Sequence, residues 1–284
     1  MTIAVTGATG PFGRHAVETL LERMPAGDVV AIVRNPEKAT DLAGRGVDVR
    51  VASYDDRAAL DKALVGVDTV LLVSGNEVGK RVQQHSNVID AAKAAGASRV
   101  VYTSAPKATD TDLVLAPEHA ATEEHLRSAG IGFTVVRNNW YTENYAARLD
   151  EWQGSGEIAA AAGAGRVASA TRAELAEGAA IVAATEGHEG QVYEFGGDVA
   201  WDFEELAATA SAVLGRAVAY RAVEPDALVS ELVRSGLDQG TAGFVAALDA
   251  NIASGALDVV TGDLSRVLGR PTSTLEDALR AARA

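Results

Sequence analysis

The first half of the chain alternates short aliphatic runs with longer, alanine-rich stretches of helical periodicity. The run Val29–Val33 is apolar at every position, which is typical of a strand covered by helices on both faces. In 15–24, by contrast, Val17, Leu20, Leu21 and Met24 recur at helical spacing. Repeated strand–helix–strand units form parallel sheets with right-handed crossovers. The pattern therefore predicts a doubly wound parallel α/β sheet.

The same patterns place the individual elements. Strands are expected at Ile3–Thr6, Val29–Val33, Val47–Val51, Thr69–Val73, Arg99–Thr103, Phe133–Val136 and Gln191–Phe195. Helices are expected at His15–Met24, Pro36–Leu42, Arg57–Leu64, Val78–Ala95, Pro117–Arg127, Arg172–Ala184 and Phe203–Leu214. Asp202 is the expected N-cap of the last helix, with Glu205 three residues later.

The second half is less regular. Residues 154–165 form a turn-bearing segment, and from Pro225 onward the chain is mostly helical, with breaks at Gly236, Gly240, Gly255 and Gly262. We expect a larger domain over 1–150, which also receives segments around 170–200. Residues 151–284 would then form a smaller, mostly helical C-terminal domain over the carboxyl ends of the strands.

A glycine-rich segment, VTGATGPFG, follows the first predicted strand where the first helix opens. Its glycines lack the Cβ atoms that would obstruct the turn, an approaching phosphate and helix–strand packing. A tight turn without a ligand has the same spacing, but the position at the head of an α/β alternation favours a nucleotide. Because a helix N-terminus binds phosphate, we predict a Rossmann-type pyrophosphate site. It would comprise Gly7, Thr9, Gly10, Pro11, Phe12 and Gly13.

The end of the second predicted strand bears on which dinucleotide binds. A carboxylate there would bind the ribose 2′-hydroxyl and repel a 2′-phosphate. The chain instead has Arg34, followed one helical turn later by Lys38. An arginine can pair with a 2′-phosphate and stack on adenine, although a solvated arginine at a strand end is the alternative. We predict NADP(H) as the cofactor.

Ligands of such sheets bind at the carboxyl ends of the strands. After strands four and five these ends carry Ser74, Gly75, Asn76, Thr103 and Ser104. After strand six they carry Asn138, Asn139, Trp140, Tyr141, Thr142 and Glu143, a mixture of polar and aromatic residues that could hold a nicotinamide and a flat substrate. A loop that only packs is the alternative. Arg172 could reach the cleft from the second lobe, or form a salt bridge.

Composition excludes several classes of function. The chain has 25 Lys and Arg against 39 Asp and Glu, a net charge of −14, so neither nucleic acid nor an anionic membrane is an expected partner. It has no cysteine, which excludes disulfides and thiolate metal sites. No His/Asp/Glu cluster has ligand spacing, so no metal is expected. No long apolar run or signal peptide is evident, and a cytoplasmic location is expected.

Several segments together resemble a known family. They read TGATGPFG, AIVRNPEK, SGNEVGKRVQQHSNVIDAAKAAG, VYTSA, EHAATE, RNNWYTENY and LGRPTSTLEDAL. They closely resemble the NADPH-dependent quinone oxidoreductases of type 2, NmrA-like members of the atypical short-chain dehydrogenase/reductase family. The resemblance implies a Rossmann domain, a smaller C-terminal domain, an NADPH site in the cleft and two-electron reduction of quinones without flavin.

The chain departs from ordinary short-chain dehydrogenases at the proton relay. Their Tyr-x-x-x-Lys pair is absent: in the register that Glu123 sets, Leu115 stands at the tyrosine position and His119 at the lysine position. His119 would be a proton donor or a ribose ligand, or a histidine satisfied by a neighbour. His85 shares a helix face with Val78, Val82 and Ile89, which favours packing or a helix-end contact.

A quinone needs less help than a ketone, because its ring is electrophilic and the reduced anion is weakly basic. Catalysis then depends mainly on proximity between nicotinamide and quinone. We predict an NADPH:quinone oxidoreductase with His119, Asn138 and Tyr141 as catalytic residues. A redox sensor that binds NADP(H) without turnover, and a reductase of another carbonyl, enone or imine, are the alternatives. Monomer and homodimer both stay open.

Overall fold

The computed structural model describes residues 1–283. Its main sheet has seven parallel strands in the order β3-β2-β1-β4-β5-β6-β8. These strands are β1 (Ile3–Thr6), β2 (Val29–Val33), β3 (Asp48–Val51), β4 (Thr69–Leu72), β5 (Arg99–Ser104), β6 (Gly132–Asn138) and β8 (Val192–Phe195). The predicted doubly wound parallel sheet is confirmed. Strand order reverses between β1 and β4, the place where such sheets bind ligands.

Helices cover both faces of this sheet. They are α1 (Pro11–Leu21), α2 (Thr40–Gly44), α3 (Arg57–Ala63), α4 (Arg81–Ala94), α5 (Ala116–Ser128) and α8 (Arg172–Ala184). Alternate residues of a strand point to opposite faces, so Ile3 and Val5 pack in the core beneath α1 and α8. Ala4 packs instead in the core beneath α3, α4 and α5. This explains why the central strands are apolar at every position.

Most of the rest of the chain builds a smaller lobe around a second, two-stranded parallel sheet. It contains α6 (Glu143–Ala146), α7 (Leu149–Ser155), β7 (Glu157–Ala160), α9 (Phe203–Leu214), β9 (Ala219–Ala222), α10 (Pro225–Arg234), α11 (Gln239–Ala253) and α13 (Leu275–Ala281). Helix α12 (Asp263–Leu268) packs instead against α8 and β8, with Leu264 in the core of the main sheet. The predicted capping of α9 is confirmed, because Asp202 and Glu205 each accept the other's backbone N–H. Trp152, Trp201 and Leu206 lie in the core of this lobe.

Helix starts differ from the sequence predictions. Helix α1 begins at Pro11 rather than His15, since proline suits the first helical position and the helix tolerates Gly13. Helix α4 begins at Arg81 rather than Val78, because Gly79 takes a left-handed φ of +88° that no helix continues. Val78 is therefore exposed in the preceding turn and shares no helix face with His85.

Two features of the smaller lobe also differ from expectation. The turn-bearing segment 154–165 has a turn at residues 163–164, but it also contains β7, which pairs with the unanticipated strand β9. Gly240 does not break the helix but lies in the first turn of α11, where Asp238 accepts its backbone N–H. A glycine in a capped first turn costs little, because the cap supplies the partner that the backbone lacks. Within residues 1–283, no helix combines the length and apolarity needed to cross a bilayer.

Candidate active site

A cavity of about 490 Å³ opens at the carboxyl ends of β1, β2, β3 and β4. The predicted site residues that line it are Gly7, Thr9, Gly10, Pro11, Phe12, Gly13, Arg34, Ser74, Gly75, Asn76, Tyr141 and Arg172. Seven further lining residues were not predicted as ligands, namely Ile32, Ala52, Ser53, Tyr54, Val73, Glu77 and Gln84, and Lys38 completes the wall. The cavity thus lies where the strand order of the sheet reverses, which is the position expected of a dinucleotide site.

The glycine loop forms one wall of the cavity. Gly7 takes a left-handed φ of +59°, and a Cβ on Gly13 would overlap Gly7 and lie 2.9 Å from Ala8 Cα. Helix α1 starts at Pro11 with neither a side-chain cap nor an acidic residue in its first turn. Its leading backbone N–H groups and its partial positive charge therefore face the cavity, an arrangement that binds anions.

Two cations border the cavity beyond β2. The Arg34 side chain is 75% exposed, and its guanidinium lies 3.9 Å from Glu77, too far for a strong ion pair. Glu77 bonds instead to Lys80, which lowers the pKa of its carboxyl group. Arg34 and Lys38 are therefore available to an anion that enters from solvent.

Tyr54 was missed by the sequence analysis. Its hydroxyl donates to the Val73 carbonyl at 2.7 Å and also contacts Thr6. Burial raises the pKa of Tyr54, so the hydroxyl stays protonated at neutral pH. Tyr54 follows β3, and extending the rule of carboxyl strand ends to that strand would have identified it.

The segment after β6 reaches the cavity through Tyr141. The Arg172 guanidinium lies 4.9 Å above the Tyr141 ring, a cation–π distance, and Phe12 packs 6.5 Å from the same ring. Within residues 1–283, Arg172 forms no salt bridge. Glu143 accepts the Arg172 backbone N–H at 2.8 Å and so stabilises the start of α8.

Three other predicted residues of this segment contact protein instead of the cavity. Asn139 donates to the Leu257 carbonyl, and Thr142 pairs with Ser169. Trp140 packs against the core of the smaller lobe. Asn138 is 7% exposed, and within residues 1–283 neither polar atom of its amide has a hydrogen-bond partner.

The last two residues of β5 also lie outside the cavity wall. Thr103 accepts the Ser74 backbone N–H at 2.8 Å and so touches the segment that lines the cavity. Ser104 instead donates to Glu123, at 2.7 Å, in the protein interior. The carboxyl end of β5 therefore supports the site from behind.

His119 is buried behind the cavity and does not line it. Its Nδ1 lies 2.7 Å from the Tyr102 hydroxyl, which also approaches His85 at 3.4 Å. Burial lowers the pKa of His119 to about 4, so the ring is neutral at pH 7. His85 is fully buried and accepts the Gly75 backbone N–H, more than the packing contact expected of it. Among residues 1–283, no three His, Asp or Glu side chains group as metal ligands.

A Rossmann sheet, a glycine loop at a helix N-terminus and cations beyond β2 define a dinucleotide-binding protein. A family model described as NAD(P)H-binding matches residues 7–189. Quinone oxidoreductase 2 of Escherichia coli is 45% identical over 98% of this chain and 97% of its own. The chain belongs to this NAD(P)H-binding family and, within it, to the NmrA-like quinone oxidoreductases of type 2.

Solved structures agree with this assignment. The NADPH complex of the Escherichia coli quinone oxidoreductase superposes with a TM-score of 0.97 at 44% identity, covering 100% of both chains. The NADP(H) complex of Citrobacter triphenylmethane reductase gives 0.94 at 37% identity, over 99% of this chain and 100% of that one. An NmrA-like oxidoreductase of Aspergillus flavus is 30% identical over 99% of this chain and 94% of its own.

Proposed function

We propose that this protein reduces quinones with NADPH, in a two-electron step of direct hydride transfer that uses neither flavin nor metal. The observation that carries the proposal is the cavity itself, where a phosphate-binding helix terminus and two free cations line one continuous wall. The relatives named for quinone reduction and for NADPH support it. A small-molecule quinone and a cytoplasmic location complete the proposal.

The cavity residues fit each part of the cofactor. The pyrophosphate would lie on the α1 N-terminus, because the first turn of that helix lines the cavity and has no side-chain cap. Arg34 and Lys38 would pair with the 2′-phosphate. Ser74, Gly75 and Asn76 would follow the cofactor toward the nicotinamide. When bound, NADPH supplies a hydride from C4 of its nicotinamide.

The residues at the other end would hold the acceptor. Phe12 and Tyr141 form an aromatic wall against which a flat ring can stack. Burial raises the pKa of Tyr141, so its phenol stays protonated and able to donate a hydrogen bond to a quinone oxygen. We also assign the unpartnered Asn138 amide to ligand binding, since a ligand at the end of β6 would satisfy it. His119 would support the site from behind the cavity. Its partner Tyr102 also approaches His85, which accepts the Gly75 backbone N–H.

The test is NADPH oxidation by the purified protein with a panel of benzoquinones and naphthoquinones, with NADH in parallel. The proposal predicts many turnovers per protein molecule and a preference for NADPH. Saturable NADPH binding by calorimetry without turnover would contradict it and identify a redox sensor. Turnover of enones or imines, but of no quinone, would contradict the substrate class.

A further inference from the structure

The chain that leaves β4 is held by side chains rather than by a neighbouring strand. Val73 donates its backbone N–H to Thr6 at 3.0 Å, and its carbonyl accepts the Tyr54 hydroxyl at 2.7 Å. The next N–H, of Ser74, goes to the Thr103 hydroxyl at 2.8 Å. Because these contacts come from three different strand ends, the segment has one defined path along the cavity.

Gly75 continues this path, and α4 holds both of its backbone polar groups. Its N–H donates to His85 Nε2 at 2.9 Å, and its carbonyl accepts from Arg81 Nε at 2.7 Å. Arg81 and His85 are four residues apart, so one helical turn presents both side chains to the same glycine. His85 is fully buried and Arg81 is 9% exposed.

These contacts determine the form of His85. Since Nε2 accepts a hydrogen bond, the proton of the neutral ring lies on Nδ1, which donates to the Thr122 hydroxyl at 3.0 Å. The Thr122 hydroxyl in turn donates a hydrogen bond to the Glu118 carbonyl at 2.8 Å. Burial lowers the pKa of His85 to about 3, so the accepting form persists at neutral pH.

Helix α5 secures the same turn at its other end. Glu118 accepts the Gly79 backbone N–H at 3.0 Å, and its carboxylate lies 3.7 Å from Arg81 Nη1. A Cβ on Gly75 would meet the Gln84 side chain at 3.2 Å, so the backbone of Gly75 itself faces the cavity. The buried groups of α4 and α5 therefore set the position of the part of the wall that Gly75 forms with its backbone alone.

We propose that Arg81 and His85 are positioning residues of the cofactor site, which fix the Gly75 peptide against the bound dinucleotide. They touch neither cofactor nor acceptor and act through the backbone of residues 74–76. The inference rests on the proposed function, since it takes the cavity to hold NADPH. When the wall is fixed before binding, no binding free energy is spent on ordering it. Removing the Arg81 or His85 contact should therefore weaken the affinity for NADPH.

The test compares His85→Leu with His85→Gln. Leucine leaves the Gly75 N–H without an acceptor, whereas the glutamine Oε1 can accept it at the position of Nε2. We expect His85→Leu to raise the Kd of NADPH about tenfold in a nicotinamide fluorescence titration, and His85→Gln to recover most of that loss. Arg81→Met should weaken binding similarly while changing the quinone KM little.

A second readout needs no cofactor. Hydrogen exchange of the peptide that spans residues 73–77, followed by mass spectrometry, should accelerate in His85→Leu and Arg81→Met and stay near native in His85→Gln. The matched control is His125→Leu, which removes a contact between α5 and Asp90 of α4 at a distance from Gly75. It should leave both readouts unchanged.

Native-like affinity and exchange in His85→Leu, or a glutamine variant no better than the leucine one, would overturn the inference. An equal loss in His125→Leu would do so too, since general loosening of α4 would then explain the effect. If the native protein itself binds no NADPH, the proposed function fails, and the exchange readout still reports whether Arg81 and His85 hold the turn.

Discussion

Arg34 is the residue that we propose distinguishes NADPH from NADH. Its guanidinium is exposed, borders the cavity and has only a distant carboxylate nearby. Replacing it with glutamate exchanges attraction of a 2′-phosphate for repulsion. Arg34→Glu should therefore weaken NADPH binding by about 1.5–3 kcal/mol, ten- to a hundredfold, and reverse the preference between the two cofactors.

The measurement is the ratio of the two dissociation constants by fluorescence titration. Arg23→Glu makes the same change of charge at an exposed site outside the cavity and should leave the ratio near native. An unchanged ratio in Arg34→Glu would show that another group selects the cofactor.

The proposed phosphate-binding role of the glycine loop can be tested by adding one methyl group at Gly13. Its Cβ would overlap the Gly7 carbonyl, so Gly13→Ala must displace the loop from the start of α1. We expect loss of measurable NADPH binding, with a fall in Tm that reports the strain. Gly27→Ala is the control, since its Cβ would meet no atom within 4 Å, and native affinity in Gly13→Ala would refute the assignment of the loop.

A substitution of His119 distinguishes a catalytic role of this residue from a structural one. The ring is neutral at pH 7, lies behind the cavity and contacts Tyr102. His119→Ala should lower kcat only a few-fold and reduce stability by about 1–3 kcal/mol, because the buried Tyr102 hydroxyl loses its 2.7 Å partner and keeps only the 3.4 Å approach to His85. A loss of several orders of magnitude in kcat, with an unchanged circular dichroism spectrum, would identify His119 as an essential proton donor instead.

At the scale of elements, one buried carboxylate joins α5 to β5 and β6. Glu123 is fully buried, receives two hydrogen bonds from Arg137 at 2.7 and 2.9 Å, and accepts from Ser104 at 2.7 Å. Burial by itself would raise the pKa of Glu123, but the hydrogen bonds from Arg137 and Ser104 outweigh it and hold the pKa below its ordinary value. The carboxylate thus stabilises the folded state while it is ionised.

The sign of the pH dependence follows from this lowered pKa. The contribution is complete above the unfolded-state value of about 4.3 and is lost as the pH falls through the lower folded-state value. Glu123→Gln should lower the free energy of unfolding by on the order of 3 kcal/mol at pH 7. The native protein should lose stability between about pH 5 and pH 3, and the variant should lose less over that range. Urea unfolding across that range measures it, with exposed Glu124→Gln as control. A parallel pH profile in Glu123→Gln would contradict the assignment.

Elements also show where sequence reasoning succeeds and where it stops. The β1 loop and Arg34 could be predicted because the strand, the turn and the helix start are adjacent in sequence. Asn139 could not, because its amide meets the Leu257 carbonyl across a separation of 118 residues. The Gly75 contacts to Arg81 and His85 depend on where α4 begins, and helical periodicity alone placed that start three residues too early.

At the scale of the whole molecule, the site is assembled from segments far apart in sequence. Tyr141 comes three residues after β6, whereas Arg172 opens α8 only after the chain has passed through α6, α7 and β7 of the smaller lobe. Asn251 ties that lobe to the segment before α5, accepting the Val114 N–H at 2.9 Å. The chain has a net charge of −14, so most of its surface repels a polyanionic cofactor. The cations at the cavity form a local positive region that favours binding there.

The central claim is direct transfer between NADPH and a quinone held in one cavity. An anaerobic stopped-flow experiment tests it most directly, with protein shown by absorbance to carry no flavin and with NADPH and a small naphthoquinone at equal concentrations. We predict that NADPH and quinone disappear with the same rate constant and in equal amounts. NADPH that binds but persists, or quinone reduction that begins only when flavin is added, would contradict the account.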